Sequence, residues 1–137
     1  MEGILGVVVI YNPDINKLIY NINQYIKNIS MLIVWQNSLL SDENKNQILH
    51  DCESGVKIIF AGSGSNQGLD RAFNSALDVA IKEGYPWLLT MDQDSTWINF
   101  EKYILGIRLC NDDSVGIFGP QTINAYDKQS LVSENKK

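Results

Sequence analysis

Residues 4–10, Ile-Leu-Gly-Val-Val-Val-Ile, are an unbroken apolar run closed by Tyr11-Asn12-Pro13. A strand with one wet face alternates apolar and polar side chains. A β-branched run without alternation fits a strand covered on both faces, as in a parallel sheet between helices. Pro13 then stands where a first helical turn tolerates it, and Ile15, Leu18, Ile19, Ile22, Tyr25, Ile26 and Ile29 recur at helical spacing. The chain opens as strand and then helix.

That alternation repeats. Residues 31–35 read as a second strand and residues 41–52 as a polar helix turning Ile48 and Leu49 inward. Residues 56–60 read as a third strand. After a Gly/Ser/Asn loop at 61–67 comes a helix with Leu69, Ala72, Phe73, Ala76, Leu77, Ala80 and Ile81 on its apolar face, ended by Gly84. Residues 87–91 give a fourth strand, 100–109 a helix, and 115–118, before Gly119-Pro120, a fifth strand; from Gln121 onward the pattern is loop or tail. Successive βα units of this length predict an α/β fold, a mostly parallel sheet wound with helices on both faces. With 137 residues, 45% of them apolar, one domain over 1–137 is expected.

In such a sheet the ends of the first four strands fall on one edge. They deliver Tyr11-Asn12, Gln36-Asn37-Ser38, the 62–68 loop and Asp92-Gln93-Asp94. Polar clusters converging outside the carboxyl ends of parallel strands mark a ligand cleft. In an extended segment residues two apart project to the same side, so Asp92 and Asp94 can address one point. Two neighbouring carboxylates repel each other. A divalent cation removes that conflict, and oxygen ligands of this kind suit Mg²⁺ or Mn²⁺ completed by water and phosphate. The plain alternative is an Asp- and Ser-rich turn. Asp92-Gln93-Asp94-Ser95-Thr96 also resembles the D-x-D-x-T motif of haloacid-dehalogenase-type phosphatases, in which the first Asp is the nucleophile; only Asp112-Asp113 and scattered lysines follow to complete such a site.

The loop from Gly62 to Gly68 looks like a dinucleotide fingerprint, but Gln67 occupies a required glycine position. It still leads backbone N–H groups and a helix N-terminus toward an anion, with Arg71 either adding a positive charge or simply solvated. The net charge of −5 offers no basic face for a nucleic acid. Cys52 and Cys110 lack metal-ligand spacing and read as reduced thiols of a cytoplasmic chain, with a single bridge between them as the alternative, and the N-terminal apolar run reads as too short and interrupted for a signal peptide or membrane span. His50 stands alone on a polar helix, a surface position, and Trp35, Trp87 and Trp97 are read as packing residues flanking the cleft edge.

The ordered set Val7-Val8-Val9-Ile10-Tyr11-Asn12-Pro13, Asn66-Gln67-Gly68 with Ala72-Phe73-Asn74, and Leu88-Leu89-Thr90-Met91-Asp92-Gln93-Asp94-Ser95 resembles family 2 glycosyltransferases, nearest to their bacterial rhamnosyltransferase branch. Gly119-Pro120-Gln121 is similar to the branch's G-P segment. The resemblance implies a GT-A, Rossmann-like nucleotide-binding half. Its donor would be a nucleotide-diphosphate sugar, dTDP-rhamnose or a UDP-sugar, and its acceptor a saccharide or lipid-linked saccharide in polysaccharide assembly, at the cytoplasmic face of the membrane. It implies donor contacts at Tyr11, Asn12, Gln36, Asn66, Gly68, Arg71, Asn74 and Asp92, with Asp94 and Asp92 on the metal. Gln36 stands where the family commonly has an acid accepting a hydrogen bond from the base; its carbonyl can accept one too. The acceptor half and catalytic base of such enzymes lie beyond a stretch of this length. The expectation is therefore the nucleotide-binding portion of a longer enzyme or a truncated product, with a non-catalytic binding or assembly module as the alternative.

Overall fold

A computed structural model of the chain describes residues 3–52 and 55–123. It divides into two units, Met1–Lys102 and Tyr103–Lys137. The first holds a four-stranded sheet, β1 (Ile4–Ile10), β2 (Met31–Gln36), β3 (Lys57–Ala61) and β4 (Trp87–Asp92), in the order β3-β2-β1-β4 with every pairing parallel. The helices are α1 (Ile15–Asn23), α2 (Asp42–Asp51), α3 (Leu69–Glu83) and α4 (Phe100–Arg108), the last running from the first unit into the second.

β1 is buried along its whole length, as its unalternating sequence requires. Leu5, Val7 and Val9 face one way and join Met31, Ile33 and Trp35 against the alanine row Ala72, Ala76 and Ala80 of α3. Val8 and Ile10, with Leu32 and Val34, face the other way, and the fully buried Leu18, Ile22, Ile26 and Ile48 supply the apolar side chains of α1, its extension and α2. Burying each such Val, Leu or Ile contributes roughly 1.5–3 kcal/mol. The chain winds from β1 outward to β3, then returns past β1 to β4. With right-handed crossovers, that reversal puts α3 on the opposite face from α1 and α2.

Four differences from the sequence-based expectation have local causes. The helical pattern through Ile29 breaks after Asn23 into a 3₁₀ turn at Ile26–Asn28, where i→i+3 bonds such as Tyr25 N–H to the Ile22 carbonyl (3.1 Å) keep Tyr25 and Ile26 buried. Leu49 is 51% exposed, because a helix advancing 100° per residue cannot turn both it and Ile48 inward. Leu77 and Ile81 are exposed as well, since α3 touches the sheet along a line of small residues four apart, narrower than its apolar stripe. Residues 115–118 form no strand, and Ile117 is 90% exposed; a short apolar run becomes a strand only with a ladder to join. In that second unit a turn is closed by Asp112, which accepts from the Ser114 N–H (3.0 Å) and hydroxyl (2.5 Å). Among the described residues no helix is long and apolar enough to cross a membrane.

Cys52 and Tyr25 are buried, and burial pushes both acidic groups upward, Cys52 to about 11 with the Asp51 charge adding to the effect. The unfolded thiol ionises near about 8.5. Titration of Cys52 therefore leaves stability unaffected below that pH and lowers it progressively as pH rises toward 11, where the unfolded thiol ionises and the folded one does not. Urea titrations from neutral to alkaline pH should show this fall, and Cys52→Ala should make it shallower; an unchanged slope would contradict the assignment.

Candidate functional site

A crevice lies outside the carboxyl ends of β1 and β4, the two strands between which the order of winding reverses. A cleft of about 400 Å³ lies there. Tyr11 and residues 92–95 form one wall, Asn66, Gly68 and Leu69 the other, and Val9 and Asn37 the remainder. Its volume is in the range of small-molecule sites.

Asp92 ends β4 beside Val9, on the face of the sheet that α3 covers. The strand stops there and Gln93-Asp94 form a turn, so the extended-chain spacing reaches only Asp92. Asp94 nevertheless lines the same cleft, and both carboxylates are exposed. They are the only charged side chains among the described lining residues. Among the described residues no three His, Cys, Asp or Glu side chains gather as a metal cluster. A cation here would thus have two carboxylates and must draw its other ligands from water, the Ser95 hydroxyl or a ligand's oxygens, an arrangement that hard divalent ions accept.

Gln93 connects the two strands. Its Oε1 accepts from the Tyr11 N–H (2.7 Å) and its Nε2 donates to the Tyr11 carbonyl (3.1 Å), so one carboxamide occupies both backbone groups beyond the last ladder pair. These partners also fix which end of the amide is oxygen. Its own carbonyl accepts from Nδ2 of Asn21 (2.9 Å), a side chain of α1 only 4% exposed.

A second carboxamide holds the other wall. Asn37, 5% exposed, accepts at Oδ1 from the Trp35 indole N–H (3.2 Å) and the Gln67 N–H (3.3 Å), and donates from Nδ2 to the Gly68 carbonyl (3.4 Å). The loop it grips is tightly built. At Gly62, with φ +91°, a Cβ would stand 2.8 Å from the Gln36 carbonyl oxygen. Gly68, at φ 83° and ψ 172°, is the N-cap of α3 and has no capping side chain to cover the first N–H groups of that helix.

The structure brings together Tyr11, Asn66, Gly68, Asp92 and Asp94 of the residues expected from sequence. It places the others outside the lining. Asn12, at φ 43°, donates its N–H to Ser38 Oγ (2.8 Å). Gln36 is buried, accepting from the Leu40 N–H (3.1 Å) and donating to the Ala61 carbonyl (3.4 Å). Arg71 and Asn74 are exposed on α3. Trp87 begins β4, at the amino edge of the sheet and so at the far end from the cleft. Trp35 and Trp97 turn their indole N–H groups to Asn37 and to the Met91 sulfur (3.1 Å). His50, with Nδ1 2.7 Å from Asp51 Oδ1, is a surface residue on α2. The residues that sequence alone passed over as site residues are Gln93, Asn21, Asn37 and Ser95. Gln93 and Asn37 figure only within the strand-end clusters, Ser95 follows one of them, and Asn21, inside α1, carries no signal in the sequence.

No family model, curated protein or solved structure matches the chain.

Replacing Asn37 by Ala leaves the buried Trp35 indole and the Gln67 N–H without their acceptor. Asn37→Ala should lower unfolding stability by about 1–3 kcal/mol in urea titration and quicken amide exchange at Gln67. A neutral result with an unaltered Gln67 amide would contradict the role given to Asn37.

Proposed function

We propose that the chain is the nucleotide-sugar-binding part of an inverting, metal-assisted glycosyltransferase, acting on a rhamnosyl or related donor such as dTDP-rhamnose or a UDP-sugar. The observation that carries this reading is the pair Asp92 and Asp94 on one wall of the switch-point cleft, opposite the uncapped start of α3. A diphosphate needs positive charge and hydrogen-bond donors. The cleft's described side chains supply negative charge. A diphosphate held directly by Asp92 and Asp94 would be repelled, whereas one shared with a divalent cation satisfies both.

Two carboxylates and the Ser95 hydroxyl are hard oxygen donors and fit Mg²⁺ or Mn²⁺, with Asp94 and Asp92 as the protein ligands. When bound, such an ion acts as a Lewis acid that stabilises charge on the departing diphosphate. The chain's own groups do the rest of the donor binding. The N–H groups of Gln67 and Gly68 are engaged by Asn37 and Asn66, so the donors for the anion are the first backbone N–H groups of α3 itself, which no side chain caps. The Tyr11 ring, 53% exposed at the cleft wall, offers a flat surface for a base or sugar.

In the transfer, an acceptor hydroxyl of a saccharide or lipid-linked saccharide bonds to the anomeric carbon from the face opposite the diphosphate. The bond to the diphosphate oxygen breaks, its electron pair leaves with the nucleotide, and the hydroxyl proton passes to a carboxylate base. None of the described residues is assigned that base, so the part of the reaction proposed for this chain is holding the donor. A non-catalytic binding module is the second reading. It is favoured by Gln36, whose amide is engaged within the fold and not presented to the cleft.

Calorimetry with UDP and dTDP tests donor binding. Binding should require Mn²⁺ or Mg²⁺ and weaken about tenfold or more in Asp94→Ala. Absent binding, or binding indifferent to metal and to Asp94→Ala, would overturn the reading.

A further inference from the structure

We infer that Gln93 is a positioning residue for the two cleft carboxylates, an inference resting on the reading of Asp92 and Asp94 as cation ligands. Gln93 is flanked by both acids, and it is the best-anchored residue of their turn. Its side chain makes two bonds to the Tyr11 backbone of β1 and its carbonyl takes a third from buried Asn21 of α1. The carboxamide acts as one more rung between β1 and β4, beyond the point where β4 ends.

The strand register fixes Asp92, and downstream the Trp97 indole returns to Met91 of β4; between these two points Gln93 ties the turn itself to β1 and α1. With it, the side chain of residue 93 is held by β1 and its carbonyl by α1, so the approach of the two acids is set before any ion arrives. Groups that orient metal ligands in this way govern affinity without touching the metal. The Gln93 side chain is turned to the backbone of Tyr11 and both its polar atoms have partners there, which separates its role from that of a ligand.

Gln93→Met keeps the length of the side chain and removes both bonds; Asn21→Ala frees the Gln93 carbonyl from outside the cleft. Three readouts are taken on the full chain. These are thermal unfolding, hydrogen exchange of the Tyr11 amide, and affinity for Mn²⁺ alone by electron paramagnetic resonance, with Asp92→Ala/Asp94→Ala as the reference lacking the ligands. The expected result for Gln93→Met is a folded chain with faster exchange at Tyr11 and Mn²⁺ affinity reduced about 10–100-fold. Asn21→Ala should shift affinity in the same direction, and decides the matter if Gln93→Met does not fold. Wild-type Mn²⁺ affinity in the folded variants, with exchange at Tyr11 or the melting temperature altered, would reduce Gln93 to a structural residue and leave the proposed function standing. No Mn²⁺ binding by the parent chain would overturn the cation reading and the role of Gln93 together.

Discussion

β1 is hydrogen-bonded along both edges, to β2 and to β4, and covered on both faces. Everything that defines the cleft follows from that confinement. A central strand of this kind has one open direction, past its carboxyl end, and there β1 and β4, between which the winding reverses, deliver their loops side by side. Tyr11 leaves β1 toward α1, and the β2 partner leaves through Gln36-Asn37-Ser38. Asp92 leaves β4 beside Val9. The crevice is thus a consequence of strand order and does not depend on any single loop residue.

What the loops contribute is rigidity at the point where the ladder stops. Two carboxamides do this in parallel ways. Gln93 joins the end of β4 to the end of β1, and Asn37 joins the end of β2 to the loop before α3. A carboxamide carries the same donor and acceptor pair as a peptide unit, so it can stand in for a missing rung while leaving the backbone free to turn. The acids at 92 and 94 remain exposed, with no basic side chain among the described lining residues to neutralise them. Two carboxylates left accessible while the residue between them is anchored at three points is an arrangement that a surface turn has no need of.

Much of this was legible in the chain itself. The β-branched run at 4–10 specified a strand with no wet face, and the apolar runs at 31, 57 and 87 placed its neighbours. Gly84 ends α3 as its position indicated, with φ 78°. The convergence of Tyr11, Asn66, Gly68, Asp92 and Asp94 followed from parallel topology alone. The remainder depended on facts that spacing does not encode. That Gln93 meets Tyr11 is a matter of register between strands 82 residues apart. That Gln36 turns inward while Asn37 reaches the cleft depends on strand phase at the point where β2 ends. The run at 115–118 has strand composition yet lacks a partner strand among the described residues, and Leu77 and Ile81 have core composition on a helix that packs along its alanines.

The central claim is that Asp92 and Asp94 meet on a single divalent ion that also holds a diphosphate in this cleft. Anomalous diffraction from crystals grown with Mn²⁺ and UDP or dTDP tests it most directly. The account predicts one manganese peak within coordination distance, about 2.0–2.6 Å, of oxygens from both carboxylates and from the diphosphate. A diphosphate seated in the cleft with no manganese beside either acid, or manganese bound elsewhere with the cleft carboxylates turned away, would contradict it.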